Sequence, residues 1–259
     1  MWWPLSVGKW RPLVRSLPSP RHVALTFDDG PTPETTPHLL RLLADAQARA
    51  TFFFSGIRAS AYRELVAETV AAGHAVYGHG WEHVNLEGDP ARAVADMCRV
   101  EDELSRHRPT PSTYMLRLPY NAGYSSARFH RAMGAFHPGF QFAWWSHSTS
   151  DWLIPGRCVT AADIPHHCGI ATELLRASSR MAGGIVLMHE QPFDIPSPFN
   201  AQVSVTLAGQ VLRMVAEEGL ACVLLKPAVA ANPLKRWILA PQAATAGVGP
   251  DNGLASAAS

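Results

Sequence analysis

The sequence of 259 residues lacks the features that mark several classes of protein. Its four cysteines form no Cys-x-x-Cys pair, so neither a zinc knuckle nor a disulfide framework is indicated. Charged residues make up 17% of the chain and the formal net charge is +1, which gives no electrostatic basis for binding nucleic acid. No apolar run approaches the roughly 18 residues that a membrane span needs. The glycine-rich motifs of dinucleotide and P-loop sites are also missing.

Composition divides the chain into three parts. Residues 1–20 show no period and are predicted to form an N-terminal extension. Because they lack the continuous apolar region of a secretory signal, we expect a cytoplasmic protein. Residues 229–259 are rich in Ala, Gly and Pro and are predicted to form a disordered tail. Residues 21–228 carry the pattern of one folded domain.

Short apolar runs alternate with helical patterns in that domain, which predicts an α/β fold with a parallel sheet. A distorted (β/α) barrel with seven or eight parallel strands fits the length, and a doubly wound open sheet is the alternative. The strand candidates are Val23–Phe27, Ala50–Phe54, His74–Tyr77, Tyr114–Leu116, Phe142–Trp145, Ile185–Met188 and Cys222–Leu225. The helix candidates lie near residues 35–48, 61–72, 90–106, 125–134, 171–181 and 203–218.

Ionisable residues follow the carboxyl ends of five strand candidates. In barrels and open parallel sheets, ligands bind and catalytic groups lie at that end of the strands. The sequence therefore predicts that these groups share one site. They are Asp28 and Asp29, His79 and His83, Arg117, His147 and Asp151, and His189 and Glu190.

Each motif also has a plainer interpretation. Asp28-Asp29-Gly30-Pro31 is typical of a turn, although a cation would relieve the repulsion of two adjacent carboxylates. His79 and His83 would lie on one side of a single helical turn, and alone they could equally be surface histidines. Beside Asp29, the pair predicts a site with two histidines and one carboxylate. The run His166-His167-Cys168 is interpreted as structural and is placed in a loop.

Five short motifs occur in an order that resembles carbohydrate esterase family four, the polysaccharide deacetylases with a nodulation-type deacetylase homology domain. The resemblance covers roughly residues 21–228. It implies a distorted (β/α) barrel and metal-dependent hydrolysis of an N-acetyl group on an amino sugar. The motifs are Thr26-Phe27-Asp28-Asp29-Gly30-Pro31, His79-x-x-x-His83, Arg117-x-Pro119-Tyr120, Asp151-Trp152 and Leu187-x-His189.

The resemblance implies a metal site and a general base. Asp29, His79 and His83 would bind one divalent metal ion, for which Zn²⁺ is favoured and Co²⁺ or another divalent ion is the alternative. Asp28 would be the general base, and Arg117 would hold it ionised, because a neighbouring cation favours a carboxylate.

The resemblance also implies a general acid and a substrate pocket. His189 would be the acid, and Asp151 would be its partner, because a carboxylate raises the pKa of an imidazole. Tyr120 would polarise the substrate carbonyl through its backbone N–H. Trp152 and Leu187 would enclose the acetyl methyl group.

Two departures from the family pattern concern the choice of substrate. Gly80 stands where the family usually has Ser or Thr, and Ser148 stands where many members have another Asp. We therefore expect a specialised N-acetylated amino sugar (an oligosaccharide, a lipid-linked sugar or an aminoglycoside-like metabolite) and poor activity on simple chitin oligomers. The alternatives are hydrolysis of a non-sugar amide, formamide or imide, and a catalytically silent sugar-binding protein. No protein partner is indicated. Residues 153–170 and 191–200 are predicted to form long loops beside the site.

Overall fold

The computed structural model describes residues 11–178 and 181–228, so the predicted tail 229–259 and the first half of the predicted extension lie outside the described residues. Strands and helices alternate along the described chain. The strands are β1 (Leu13–Val14), β2 (His22–Asp28), β3 (Thr51–Phe54), β4 (Ala75–Gly78), β5 (Met115–Leu116), β6 (Gln141–Ala143), β7 (His147–Ser148), β8 (Ile185–His189) and β9 (Ala221–Cys222). The helices are α1 (Thr36–Asp45), α2 (Gly56–Ala61), α3 (Arg63–Ala71), α4 (Pro90–Leu104), α5 (Ala127–Met133), α6 (Ile164–Ala177) and α7 (Asn200–Glu217).

Every strand pair is parallel, so the predicted α/β fold with a parallel sheet is confirmed. The larger sheet has the order β4-β3-β2-β8-β7, and β9 pairs with the start of β2. The smaller sheet has the order β1-β6-β5. The described chain holds nine strands rather than seven or eight, because the structure adds the two-residue strands β1 and β7.

The strands enclose a common interior, as in a distorted barrel. Successive side chains of β2 point to opposite faces, which places Ala24 in the cluster between the two sheets and Leu25 in the cluster beneath the helices. Phe53, Met115 and Ala143 come from β3, β5 and β6 and join the inner cluster. By the same alternation, Asp28 points inward at the carboxyl end of β2.

The predicted boundary between a loop and the sixth helix is wrong. Helix α6 begins at Ile164 rather than near residue 171, so the predicted loop 153–170 ends early and His166-His167-Cys168 is helical. Thr160 and Asp163 form a capping box just before the helix, and Pro165 lies in its first turn, where proline is tolerated. The predicted N-terminal extension is not wholly separate, because β1 pairs with β6.

None of the described helices is both long enough and apolar enough to cross a bilayer. The cytoplasmic location stays a prediction.

Candidate active site

The carboxyl ends of the strands open onto one cavity of about 350 Å³. A larger groove of about 680 Å³ lies between α6 and α7 and contains none of the predicted site residues. Arg117 and Asp151 are buried behind the cavity and contact residues that line it. The predicted residues that line the cavity are Asp28, Asp29, His79, His83, Tyr120, Trp152, Leu187 and His189.

Asp29, His79 and His83 form a compact cluster in which one ligand atom from each residue lies within 4.8 Å of the others. Oδ1 of Asp29 is 3.5 Å from Nε2 of His79 and 3.3 Å from Nε2 of His83. That oxygen is buried and has no hydrogen-bond partner. Burial raises the pKa of Asp29 to about 7 and lowers the pKa of His79 to about 4. An unpaired carboxylate oxygen facing two neutral imidazoles is a donor set that fits a divalent metal.

The two histidines are brought together by an irregular bend rather than by a helical turn. Gly80 has φ +73° and His83 has φ 56°, so the backbone twice enters the left-handed region. Nδ1 of His79 lies 2.8 Å from the carbonyl oxygen of Arg117. Because a carbonyl only accepts, Nδ1 carries the hydrogen, and the lone pair of Nε2 faces Asp29.

Asp28 and Arg117 form a buried ion pair. Nη1 of Arg117 lies 2.8 Å from Oδ1 of Asp28 and also donates to the hydroxyl of Thr26. The rest of the guanidinium donates to the backbone carbonyls of Ala143 and Trp144, so Arg117 is fixed on all sides. Burial alone would raise the pKa of Asp28, but Arg117 and two nearby imidazoles hold it below its usual value. Asp28 is therefore an ionised carboxylate at neutral pH.

His189 and Asp151 form a second buried pair. In this pair the residue that lines the cavity, His189, is the positively charged one. Nδ1 of His189 lies 2.9 Å from Oδ1 of Asp151, and Oδ2 of Asp151 accepts from the backbone N–H of His189 at 2.6 Å. Burial alone would lower the pKa of His189, but Asp151, with smaller contributions from Asp29 and Asp28, raises it to about 9. A protonated imidazole therefore stands in the same cavity as an ionised carboxylate, which is the arrangement that acid–base catalysis requires.

Three further predicted residues lie at the mouth of the cavity. Tyr120 has φ 55° in the turn after β5, and its hydroxyl donates to Asp194. Trp152 meets the ring of His189 edge-on, with centroids 5.2 Å apart. Leu187 precedes His189 by two residues on β8, so both side chains point to the same face of the strand. The roles predicted for these residues stay predictions.

The structure adds residues to which sequence reasoning gave no role. Arg58 of α2 donates to the backbone carbonyls of Asp29 and Gln191, each at 2.6 Å. Phe193 stacks on His83, with ring centroids 5.0 Å apart and planes 7° apart. Glu190 was noted only as a residue at a strand end, yet its carboxyl group is fully buried beneath the Asp28–Pro31 turn. No short motif marks these positions, because their contacts form only in the folded chain.

Glu190 supplies a stability test for that turn. A Cβ atom added to Gly30 would lie 2.1 Å from Oε1 of Glu190, so Gly30→Ala should force the buried carboxyl group aside. We expect a loss of about 1–3 kcal/mol in the free energy of unfolding, measured by denaturant titration. Gly88→Ala is the control, because a Cβ there would meet nothing within 4 Å. Equal stability of the two variants would contradict the close packing of Glu190 on Gly30.

A parallel α/β barrel with an Asp-His-His cluster and two tuned acid–base pairs has the architecture of a metal-dependent hydrolase. Residues 16–134 match the sequence model of a protein family, the polysaccharide deacetylases. The chitooligosaccharide deacetylase of Sinorhizobium fredii is 30% identical over 181 residues, which cover 70% of this chain and 77% of that protein. The chain belongs to the polysaccharide deacetylase family.

Other relatives extend the comparison. Peptidoglycan-N-acetylglucosamine deacetylase PgdA of Listeria monocytogenes is 28% identical over 69% of this chain, which spans 34% of that longer protein. The solved structure of the Bc1960 peptidoglycan N-acetylglucosamine deacetylase has a TM-score of 0.67 at 25% identity, covering 86% of this chain and 95% of that one. The chitin deacetylase of Colletotrichum lindemuthianum has a TM-score of 0.66 at 24% identity, covering 82% and 88%.

Proposed function

We propose that this chain removes the acetyl group from an N-acetylated amino sugar by metal-dependent hydrolysis. One observation carries the proposal: a single cavity contains both a cluster suited to a metal ion and a pair of acid–base groups. In the cluster, an unpaired carboxylate oxygen of Asp29 faces two neutral imidazoles. The acid–base groups are an ionised Asp28 and a protonated His189. The relatives named for this activity include the chitooligosaccharide and peptidoglycan deacetylases.

Asp29, His79 and His83 would hold the metal, for which we propose Zn²⁺ because two imidazoles and one carboxylate suit that ion. A divalent ion held by these residues would supply polarisation of the amide carbonyl and a lower pKa for a bound water molecule. Asp28 would accept the proton of the attacking water, and the ion pair with Arg117 would keep it ionised until then. The surroundings of the two aspartates support the assignment of Asp28 as base and Asp29 as ligand, because the side chain of Asp28 is paired with Arg117 and that of Asp29 is paired with no arginine or lysine.

His189 would protonate the leaving nitrogen, which is otherwise a poor leaving group. Asp151 fixes the ring by accepting from Nδ1, so Nε2 carries the proton available to the substrate. The backbone N–H of Tyr120 would donate to the oxygen on which negative charge develops. Trp152 and Leu187 border the cavity beside His189 and would receive the acetyl methyl group.

The size and lining of the cavity favour a small substrate or one sugar unit of a larger one. Its volume of about 350 Å³ is near the lower end of the range for ligand sites. Tyr120, Trp145, Phe193 and Ile195 supply an apolar wall around the polar groups. An oligosaccharide, a lipid-linked sugar and an aminoglycoside-like metabolite remain the proposed substrate classes.

The test combines metal analysis with a screen for release of free amine. The panel contains N-acetylated amino sugars, chitin oligomers, aminoglycoside-like N-acetyl compounds, and non-sugar formamides and imides. We expect one equivalent of divalent metal in the purified protein, turnover of an N-acetylated amino sugar, and poor turnover of chitin oligomers. His83→Ala should lose both metal and turnover, because it removes one of three ligands.

The exposed His38 on α1 provides the control, and His38→Ala should keep both metal and turnover. Preferential turnover of a non-sugar amide would replace the proposed substrate class and leave the reaction type intact. Full metal content in His83→Ala would refute the ligand assignment. A metal-loaded protein that turns over no member of the panel would favour the silent sugar-binding protein.

A further inference from the structure

In the bend between β4 and His83, residue 80 is a glycine and so has no side chain that could hold the bend in place. Backbone bonds anchor other parts of this bend: N–H groups of Gly56 and Ile57 donate to the carbonyls of Gly80 and Trp81. Oδ2 of Asp96 accepts from the N–H of Trp81 at 2.8 Å. None of these bonds reaches the ring of His83, although the ring must be oriented for Nε2 to face Asp29.

The ring of His83 is contacted by the segment that follows β8 and by the turn that follows β5. Oδ2 of Asp194 lies 3.4 Å from Nδ1 of His83, the nitrogen that points away from Asp29. Phe193 stacks on one face of the ring, and the ring of Tyr120 lies 5.0 Å away at a tilt. We propose that Asp194 is a positioning residue that orients His83 for metal binding, an inference that rests on the metal site of the proposed function.

The contacts of Asp194 itself support this role. The hydroxyl of Tyr120 donates to the same oxygen of Asp194 that faces His83, so the carboxylate is held from a second side. The bond also joins the loop after β8 to the turn after β5 across the mouth of the cavity.

The same loop is tied to a second proposed ligand. The guanidinium of Arg58 lies 3.7 Å above the ring of Phe193, on an aromatic ring that also stacks on His83. Arg58 donates to the carbonyl oxygens of both Asp29 and Gln191. The contacts therefore form a closed circuit, from Asp29 through Arg58 and Phe193 to His83 and back to Asp29.

In both imidazoles of the cluster, an oxygen atom faces the ring nitrogen that points away from Asp29. In His79, the carbonyl of Arg117 accepts from Nδ1 and leaves the Nε2 lone pair toward Asp29. In His83, Oδ2 of Asp194 faces Nδ1 at 3.4 Å, a contact that does not form a hydrogen bond in this structure and that would have to close only slightly to form one. An acceptor on the far nitrogen fixes the tautomer, orients the ring and makes a histidine a better ligand.

The experiment measures metal affinity rather than turnover. Apo-protein is titrated with Zn²⁺ in competition with a chromophoric chelator, and the absorption spectrum of the Co²⁺-loaded protein reports ligand geometry. Asp194→Ala should bind Zn²⁺ about 10- to 100-fold more weakly, the usual cost of losing the partner of a metal-bound histidine. Asp194→Asn should recover part of that loss, because its amide oxygen can still accept from Nδ1. Both variants should keep the thermal unfolding midpoint of the apo-protein.

Asp102→Asn is the matched control, since it removes the same charge from the exposed face of α4 and should leave Zn²⁺ affinity unchanged. Affinity of Asp194→Ala within twofold of the wild type would overturn the positioning role alone. An equal loss in Asp102→Asn would also overturn it, because the effect would then come from net charge. A wild-type protein that binds no stoichiometric metal would overturn both the proposed metal site and this inference.

Discussion

Asp28→Asn and His189→Ala are each expected to lower turnover by about 10²–10⁴ while leaving the metal in place. Asp28→Asn keeps the shape of the side chain but removes the charge that Arg117 stabilises, so no base is left to accept the proton of water. His189→Ala removes the imidazole that Asp151 keeps protonated. Neither residue belongs to the Asp29-His79-His83 cluster, so metal content should separate these variants from ligand variants.

The measurement is kcat and KM on the best substrate of the screen, with metal content determined on the same samples. Asp102→Asn and His38→Ala make the same chemical changes at exposed positions and should match the wild type. A loss of metal in Asp28→Asn would mean that Asp28 is a ligand and that the two aspartates exchange roles. Turnover of His189→Ala within tenfold of the wild type would show that another group protonates the leaving nitrogen.

Much of the framework of this site follows from a local property of the sequence. Strands β2, β3 and β8 are continuous apolar runs, because they are buried on both faces, and such runs are visible without a structure. The polar residues that follow these runs are therefore recognisable in the sequence as candidates for a site at the ends of the strands. Strands β1 and β7 are only two residues long, and so short an element has no hydrophobic period to recognise.

The start of α6 was missed for a different reason. The run Ile164-Pro165-His166-His167 contains proline and two histidines, which suit a loop as well as a first helical turn. What decides is tertiary packing: Ile164 and Cys168 are fully buried in the core cluster that also contains residues of α7. Propensity is a weak signal when such burial is available.

The residues that contact the proposed metal ligands could not be identified from the sequence, for a third reason. Arg58 lies in α2, far along the sequence from the adjacent residues Phe193 and Asp194, and none of the three belongs to a motif that marks a site. Their significance comes from distances of 2.6–3.7 Å to the ligands or to one another, which no single sequence displays. The chemistry-bearing groups were thus predictable, whereas their supports were not.

The pH dependence of turnover should distinguish a tuned acid from a merely buried histidine, and Asp151→Asn tests it. Opposing effects act on His189: burial lowers its pKa, whereas Asp151 and, less strongly, Asp29 and Asp28 raise it, and together they give about 9. Removing the carboxylate charge leaves burial unopposed by Asp151, so the pKa of His189 falls. The asparagine oxygen can still accept from Nδ1, so the orientation of the ring is largely kept.

The direction of the change in activity follows from the protonation state that the acid requires. As the proposed general acid, His189 must carry a proton, so turnover should be retained below its pKa and lost as the pH rises through it. A lower pKa in Asp151→Asn therefore moves the high-pH limb of the profile to lower pH. A bound divalent cation would lower the pKa of His189 in both proteins. The quantity to measure is therefore the difference in pH between the high-pH limbs of the wild type and Asp151→Asn. If the high-pH limbs of wild type and Asp151→Asn coincide, either Asp151 does not tune His189 or His189 is not the acid.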